Sequence, residues 1–214
     1  MDLHKYKREI ELMKKQNMTE YDLYSIIASI IREGKNIESL SLRDVNRRRN
    51  SEKGKVFYGL SGVPDLVVLD FEFNNNDNKN NRIDNIDQIY GCIEIKGIDL
   101  TLLSAEDIIK KIEANKQIGK DEQQILGEIL WYRKVLYTNG LIWRYINCEF
   151  NKNYWDVIKN LVRTNINKPN PTNWYKNICT HKFTIFEEDL IDLNSANEDQ
   201  WNQFLKRLHS IKWD

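Results

Sequence analysis

Residues 89–98 read Ile-Tyr-Gly-Cys-Ile-Glu-Ile-Lys-Gly-Ile, and the alternation within them decides the fold. Successive side chains of a β-strand point to opposite faces, so Cys92, Glu94 and Lys96 share one face while Ile93 and Ile95 occupy the other. Glu94 and Lys96 are set among apolar neighbours in what reads as a central strand. Burying such charges is costly unless they are partnered, so the stretch is both a buried strand and a candidate site.

Upstream, residues 56–70 (VFYGLSGVPDLVVLD) contain two β-rich runs broken by glycines. Pro64 stands at the start of the second run, where a missing N–H does least harm, and Leu66–Leu69 is apolar throughout, as a buried strand requires. Residues 74–87 (NNNDNKNNRIDNID) offer almost nothing to bury, which predicts an exposed loop between the two strands rather than a domain boundary.

Working further outward, residues 2–17 are strongly charged, and Thr19 with Asp22 predicts the capping box of a helix. Its apolar face is Leu23, Ile27, Ile30 and Ile31, with Glu20 in the first turn. Ser39–Leu42 alternates like a short strand and leads into a basic loop, Arg47-Arg48-Arg49, which ends at Gly54. Downstream, Ser104 with Asp107 opens a helix through about Asn115, and a second helix covers 121–132 through Ile125, Leu126, Ile129 and Leu130. Residues 135–146 flank Asn139-Gly140 with apolar and aromatic residues, the pattern of an antiparallel hairpin. Trp155, Ile158, Leu161 and Val162 are spaced to line a helix, residues 182–187 (KFTIFE) can form a strand, and Ser195 with Glu198 predicts a third capping box before a terminal helix carrying Trp201, Phe204, Leu205 and Leu208. The expectation is an α/β chain with a mixed central sheet flanked by helices. It divides into a charged N-terminal helix or arm (1–18), a core (19–150) and a C-terminal, largely helical addition (151–214).

The 214 residues are 41% hydrophobic and 30% charged, with 32 basic residues against 32 acidic ones. Such a neutral chain has no global field to draw it onto a polyanion, so any nucleic-acid contact needs a local patch. Arg47, Arg48, Arg49 and Lys53 are the candidate patch, although charge runs in loops are usually just solvated. Cysteines 92, 148 and 179 form no C-x-x-C pair, which argues against a disulfide framework or a structural zinc site. The first 16 residues contain no apolar core of a leader, and no stretch approaches the roughly 20 apolar residues of a membrane helix, so a cytoplasmic protein with no membrane partner is expected. The six tryptophans fall mostly in amphipathic patterns and are assigned to packing, His181 and His209 are assigned structural roles, and the loop around Asp77 lacks the Gly and terminal Glu of a calcium loop.

Cleaving a phosphodiester with divalent cations takes carboxylates to hold the metal, a group to activate or orient water, and positive charge for the phosphorane. Asp65 at the mouth of one strand, with Glu94 and Lys96 on one face of the next, supplies that set if the strands are neighbours. With no His or Cys beside it, such a site suits Mg²⁺ or Mn²⁺ rather than zinc.

Pro64-Asp65, a spacer, then Glu94-Ile95-Lys96 between apolar strands resembles the PD-(D/E)XK nuclease superfamily, as does the order helix, strand, strand, helix, hairpin. Residues 123–132 (QQILGEILWY) followed by Thr138-Asn139-Gly140 resemble more narrowly the nuclease domains of type I restriction subunits and related defence or mobile-element proteins. The likeness covers about residues 19–146. It implies a restriction-endonuclease-like fold, with Asp65 and Glu94 as metal ligands, the Ile95 carbonyl completing the shell, and Lys96 positioning water or offsetting phosphate charge. Glu20 fits the helix-borne acid of many members, with Glu33 as its competitor, and Gln124 fits the helix-borne Gln, with Gln123 as close in sequence. Where the family has an aromatic residue four positions after that Gln, this chain has Glu128, which leaves Gln124's role open and admits Glu128 as an extra acid. The resemblance points to DNA rather than RNA as substrate and admits a homodimer. An RNA endonuclease on the same fold and a non-catalytic nucleic-acid or protein-binding module are the competing readings.

Overall fold

The computed structural model describes residues 1–16, 19–34, 40–48, 51–74, 86–151, 153–165 and 173–214. Six strands form one sheet in sequential order: β1 (Leu40–Asp44), β2 (Leu66–Asp70), β3 (Ile89–Ile95), β4 (Lys134–Thr138), β5 (Ile142–Phe150) and β6 (Phe183–Asp192). Every neighbouring pair is antiparallel except β3 and β4, which run parallel. A parallel pair needs a crossover, and α3 (Ala105–Glu113) and α4 (Lys120–Tyr132) provide it.

Period-two alternation sorts the sheet residues between two cores. Val67, Leu69, Cys92, Val135, Tyr137 and Ile146 pack beneath α3, α4 and α5 (Tyr154–Asn165). Leu66, Val68, Ile93, Ile95 and Leu136 face α1 (Leu3–Gln16), α2 (Glu20–Arg32) and α6 (Glu198–Leu208) on the other side. The molecule is therefore a mixed α/β fold with helices on both faces of the sheet. The α2 stripe of Leu23, Ile27, Ile30 and Ile31 is buried as its spacing predicts, and each such side chain contributes roughly 1.5–3 kcal/mol of burial. The Thr19–Asp22 capping box starts that helix.

Several local expectations are corrected. The first β-rich run is no strand: Glu52–Phe57 is a 3-10 turn whose Gly54 amide donates to the Ser51 hydroxyl at 3.1 Å, and a Gly59 N–H to Gly62 carbonyl bond of 2.8 Å closes the next turn. Val56, Phe57 and Leu60 serve instead as single apolar anchors in the core. The last helix is capped by Asn197 with Gln200, not by Ser195 with Glu198, because Asn197 Oδ1 and Gln200 Oε1 exchange bonds with each other's amides at 3.0 and 2.9 Å. The strand expected at 182–187 is longer, since β6 extends the sheet along all of β5. Arg49 and most of the Asn-rich loop, 75–85, lie outside the described residues, as do the side chains of Arg48 and Lys53.

The hairpin around Asn139-Gly140 is present, but Thr138 pairs with Trp143, so its turn is wider than two residues. Asn139 is 4% exposed, and its Oδ1 accepts from the amides of Leu141 and Ile142 at 3.0 and 2.8 Å. Its Nδ2 donates to the Leu100 carbonyl at 2.8 Å, and the Lys96 amide donates to the Thr138 carbonyl at 2.8 Å. The turn thus fixes the chain on both sides of Gly97, just where β3 delivers its charges. Tyr6 Oη donates to the Gly140 carbonyl at 2.6 Å, which docks α1 on the same turn. Among the described residues no helix is long and apolar enough to cross a membrane.

Candidate active site

The acid–lysine cluster follows from strand register. Leu66 pairs with Ile93 and Val67 with Cys92, so one further step sets Asp65 opposite Glu94, and Lys96 lies two residues beyond Glu94 on the same face. Asp65 is 3% exposed and Glu94 2%. Lys96 Nζ donates to Glu94 Oε1 at 2.6 Å and to Gln124 Oε1 at 3.2 Å. Gln124 Nε2 donates in turn to Glu94 Oε1 at 2.7 Å and to Glu128 Oε1 at 3.3 Å. Gln123 turns away, its amide donating to the Ile118 carbonyl at 3.2 Å, so the helix-borne Gln of the cluster is Gln124.

Asp65 is held from three directions. The Tyr24 hydroxyl and Asn46 Nδ2 (2.6 Å) donate to Oδ1, and the Ile95 amide donates to Oδ2 at 2.7 Å. Each carboxylate oxygen can accept twice, so Oδ2 keeps one acceptor position. Ile95 enters the site through this amide while its side chain packs in the opposite core. Neither Tyr24 nor Asn46 was expected here. Tyr24 had a signal, since it lies four residues after Glu20 on one helix face. Asn46 had none, because it reaches Asp65 only through β1 pairing beside β2, where the Val45 amide bonds the Asp65 carbonyl at 3.0 Å.

Glu20 belongs to the Asp65 end of the cluster: burial and the Asp65 charge raise its pKa, against Lys96 and a Tyr24 hydrogen bond. Glu33 is elsewhere, bonded to the N-terminal ammonium at 2.7 Å. Glu128 is 3% exposed and belongs to the Glu94 end. Burial pushes its carboxyl up to about 7, with Asp65 adding to the rise and Lys96 opposing it. Burial, then the Glu128 and Asp65 charges, drive Glu94 well above the ordinary carboxylate range despite Lys96. Burial raises Asp65 as well, against its bonds from Tyr24, Ile95 and Asn46. Burial alone would depress Lys96, but Glu94 outweighs it and holds the ammonium charged.

Four carboxyl groups, Glu20, Asp65, Glu94 and Glu128, therefore share Lys96 as the attractive charge. Glu94 Oε2 and Glu128 Oε2 are buried with no hydrogen-bond partner among the described residues. Hard oxygen donors, a deficit of positive charge and orphaned acceptors fit a hard divalent cation. Among the described residues no three or more His, Cys, Asp or Glu side chains are placed so that they could together hold a metal ion. Lys96 and Gln124 occupy Glu94 Oε1, and Asp65 is engaged by its own donors.

The loop before Asp65 is seated against α4 by glycines. The Ser61 hydroxyl donates to the Gln124 carbonyl at 2.9 Å, and a Cβ at Gly127 would stand 2.2 Å from Ser61 Oγ. A Cβ at Gly59 would stand 2.8 Å from the Trp131 ring. Helix and loop can approach this closely only without those side chains, and that approach brings Gln124 and Glu128 to the strand charges.

Of the candidate basic patch, Arg47 is described. It is 73% exposed, pairs with Asp44 at 3.1 Å and follows Asn46, so the patch begins one residue from the cluster without its guanidinium joining it. The sequence matches no protein-family model, and neither curated proteins nor solved structures provide a match.

Proposed function

We propose that this chain is a metal-dependent nuclease of restriction-endonuclease-like fold that hydrolyses phosphodiester bonds in DNA. The observation that carries the reading is Asp65 and Glu94, each at most 3% exposed, on adjacent strands with the Lys96 ammonium 2.6 Å from Glu94. A defence or mobile-element setting is part of the proposal only through the family likeness.

Glu20, Asp65, Glu94 and the Ile95 carbonyl would hold Mg²⁺ or Mn²⁺. When bound, the cation supplies Lewis-acid polarisation of the phosphate and a water of lowered pKa. Lys96 is kept as an ammonium and has no lone pair, so it does not take the proton from water. Its part is to orient the water and offset phosphate charge through N–H donors. Gln124 braces Lys96 against Glu94, because its amide donates to one and accepts from the other. Arg47 and its basic neighbours would bind flanking phosphates.

The test is incubation of supercoiled plasmid, single-stranded DNA and RNA oligonucleotides with wild type and Lys96→Ala in Mg²⁺ or Mn²⁺. The expected result is metal-dependent DNA cleavage that falls by about a hundredfold or more in the variant, as for loss of a single transition-state donor. Equal cleavage by both proteins removes Lys96 from the mechanism. Cleavage of RNA alone reassigns the substrate, and no cleavage with either metal leaves a binding module.

A further inference from the structure

We propose that Glu128 is itself a cation ligand, forming with Glu94 a seat for a divalent ion on the side of the pair away from Lys96. This deepens the nuclease reading and rests on it for the identity of the ion. Glu128 is the one acid among the buried residues of α4, whose other buried members, apart from Gly127, are Ile125, Leu126, Ile129, Leu130, Trp131 and Tyr132. A carboxylate in such a place destabilises the fold unless something compensates it. Gln124 compensates only half of it: Nε2 reaches the Oε1 atoms of Glu94 and Glu128 at 2.7 and 3.3 Å and leaves both Oε2 atoms unpartnered among the described residues.

One amide nitrogen, Gln124 Nε2, reaches both carboxyl groups, so Glu94 and Glu128 are close neighbours, and each keeps a buried oxygen with no partner among the described residues. A purely structural role would be served better by an amide or an apolar residue at 128, which would add no second acid beside Glu94. A hard divalent cation satisfies both oxygens and offsets both charges. Oxygen donors without His or Cys select Mg²⁺ or Mn²⁺ over zinc. The remaining acceptor position on Asp65 Oδ2 offers a further oxygen on the same sheet face.

The experiment is a Mn²⁺ titration of the metal-stripped full chain at fixed pH, with free Mn²⁺ read by electron paramagnetic resonance, for wild type, Glu128→Gln and Glu128→Asp. Glu128→Gln is expected to raise the Mn²⁺ Kd by about tenfold or more, since loss of even an outer-shell partner costs that much. Glu128→Asp, which keeps the charge on a shorter arm, should fall between, and it carries the test if the Gln variant does not fold. Metal-free Glu128→Gln should melt at or above the wild-type temperature, with a smaller upward shift on adding Mn²⁺. Unchanged Mn²⁺ affinity in a folded variant overturns the seat while leaving the nuclease reading intact. Weakened binding in the variants, in a protein that cleaves no nucleic acid, supports the seat and removes the nuclease reading. Absence of Mn²⁺ binding by wild type overturns both.

Discussion

The hydroxyl of Tyr24 on α2 donates to Oδ1 of Asp65 at the mouth of β2, so a helix from one face of the sheet orients the acid that faces Glu94. Tyr24→Phe removes this donor and leaves Asn46 alone on Oδ1. Hydrogen bonds to charged groups are worth about 1.5–3 kcal/mol, so a stability loss of that order is expected in urea unfolding. Because the Tyr24 bond holds the Asp65 pKa down, its loss should also move the acid limb of the pH–cleavage profile to higher pH. An unchanged limb in a folded variant would show that Tyr24 does not act through Asp65.

Glu20 and Glu33 sit on α2 and just past its end, but the Asp65 charge raises the Glu20 pKa whereas Glu33 pairs with the N-terminal ammonium. Glu20→Gln should weaken Mn²⁺ binding and cleavage by about tenfold or more. Glu33→Gln loses an exposed ion pair with the terminal ammonium, worth at most about 1 kcal/mol, and should cleave like wild type. Parallel cleavage assays decide between them, and the reverse ranking would place the helix-borne acid at 33.

Gly127→Ala puts a methyl group into Ser61 and must push α4 away from the loop before Asp65. Overpacking of this kind costs about 1–3 kcal/mol. The expected outcome is a lower melting temperature together with reduced cleavage, because Gln124 and Glu128 move with the helix. Pairing the change with Ser61→Gly should restore much of both.

In metal-free protein the Glu128 carboxyl titrates near 7 when folded, against an ordinary value of 4.5. The folded state then holds the extra proton, so this contribution to stability is fully present below about 4.5 and is lost as pH rises through about 7. Thermal melts without divalent ions should show a decline across that window, and Glu128→Gln should flatten it. About 1 kcal/mol shifts the melting temperature by roughly 2–4 °C in a chain of this size, so the trend is measurable. A wild-type stability that rises steadily from pH 4.5 to 7 would contradict the assigned direction.

How much of the site could be read in advance depended on whether the signal was local. Alternation in 89–98 put Glu94 and Lys96 on one face, helical spacing gave α2 its buried stripe, and Asn139-Gly140 marked the hairpin, because each pattern repeats within a few residues. Local signals also misled where competing ones sat side by side. Residues 56–60 have strand composition but lack a partner strand, and Asn197 takes the cap because its side chain reaches the Gln200 amide.

The sequence by itself determined that Glu94 and Lys96 share one strand face, since backbone periodicity fixes the direction of each side chain relative to its chain neighbours, whereas setting Asp65 opposite Glu94 took the β2–β3 register. Only the tertiary structure decided which distant groups complete the cluster: Gln124 rather than Gln123, Glu20 rather than Glu33, Glu128 beside Glu94, and Tyr24 and Asn46 on Asp65. Those choices depend on how α2 and α4 are rotated and seated on the sheet, which is set by packing between residues far apart in the chain.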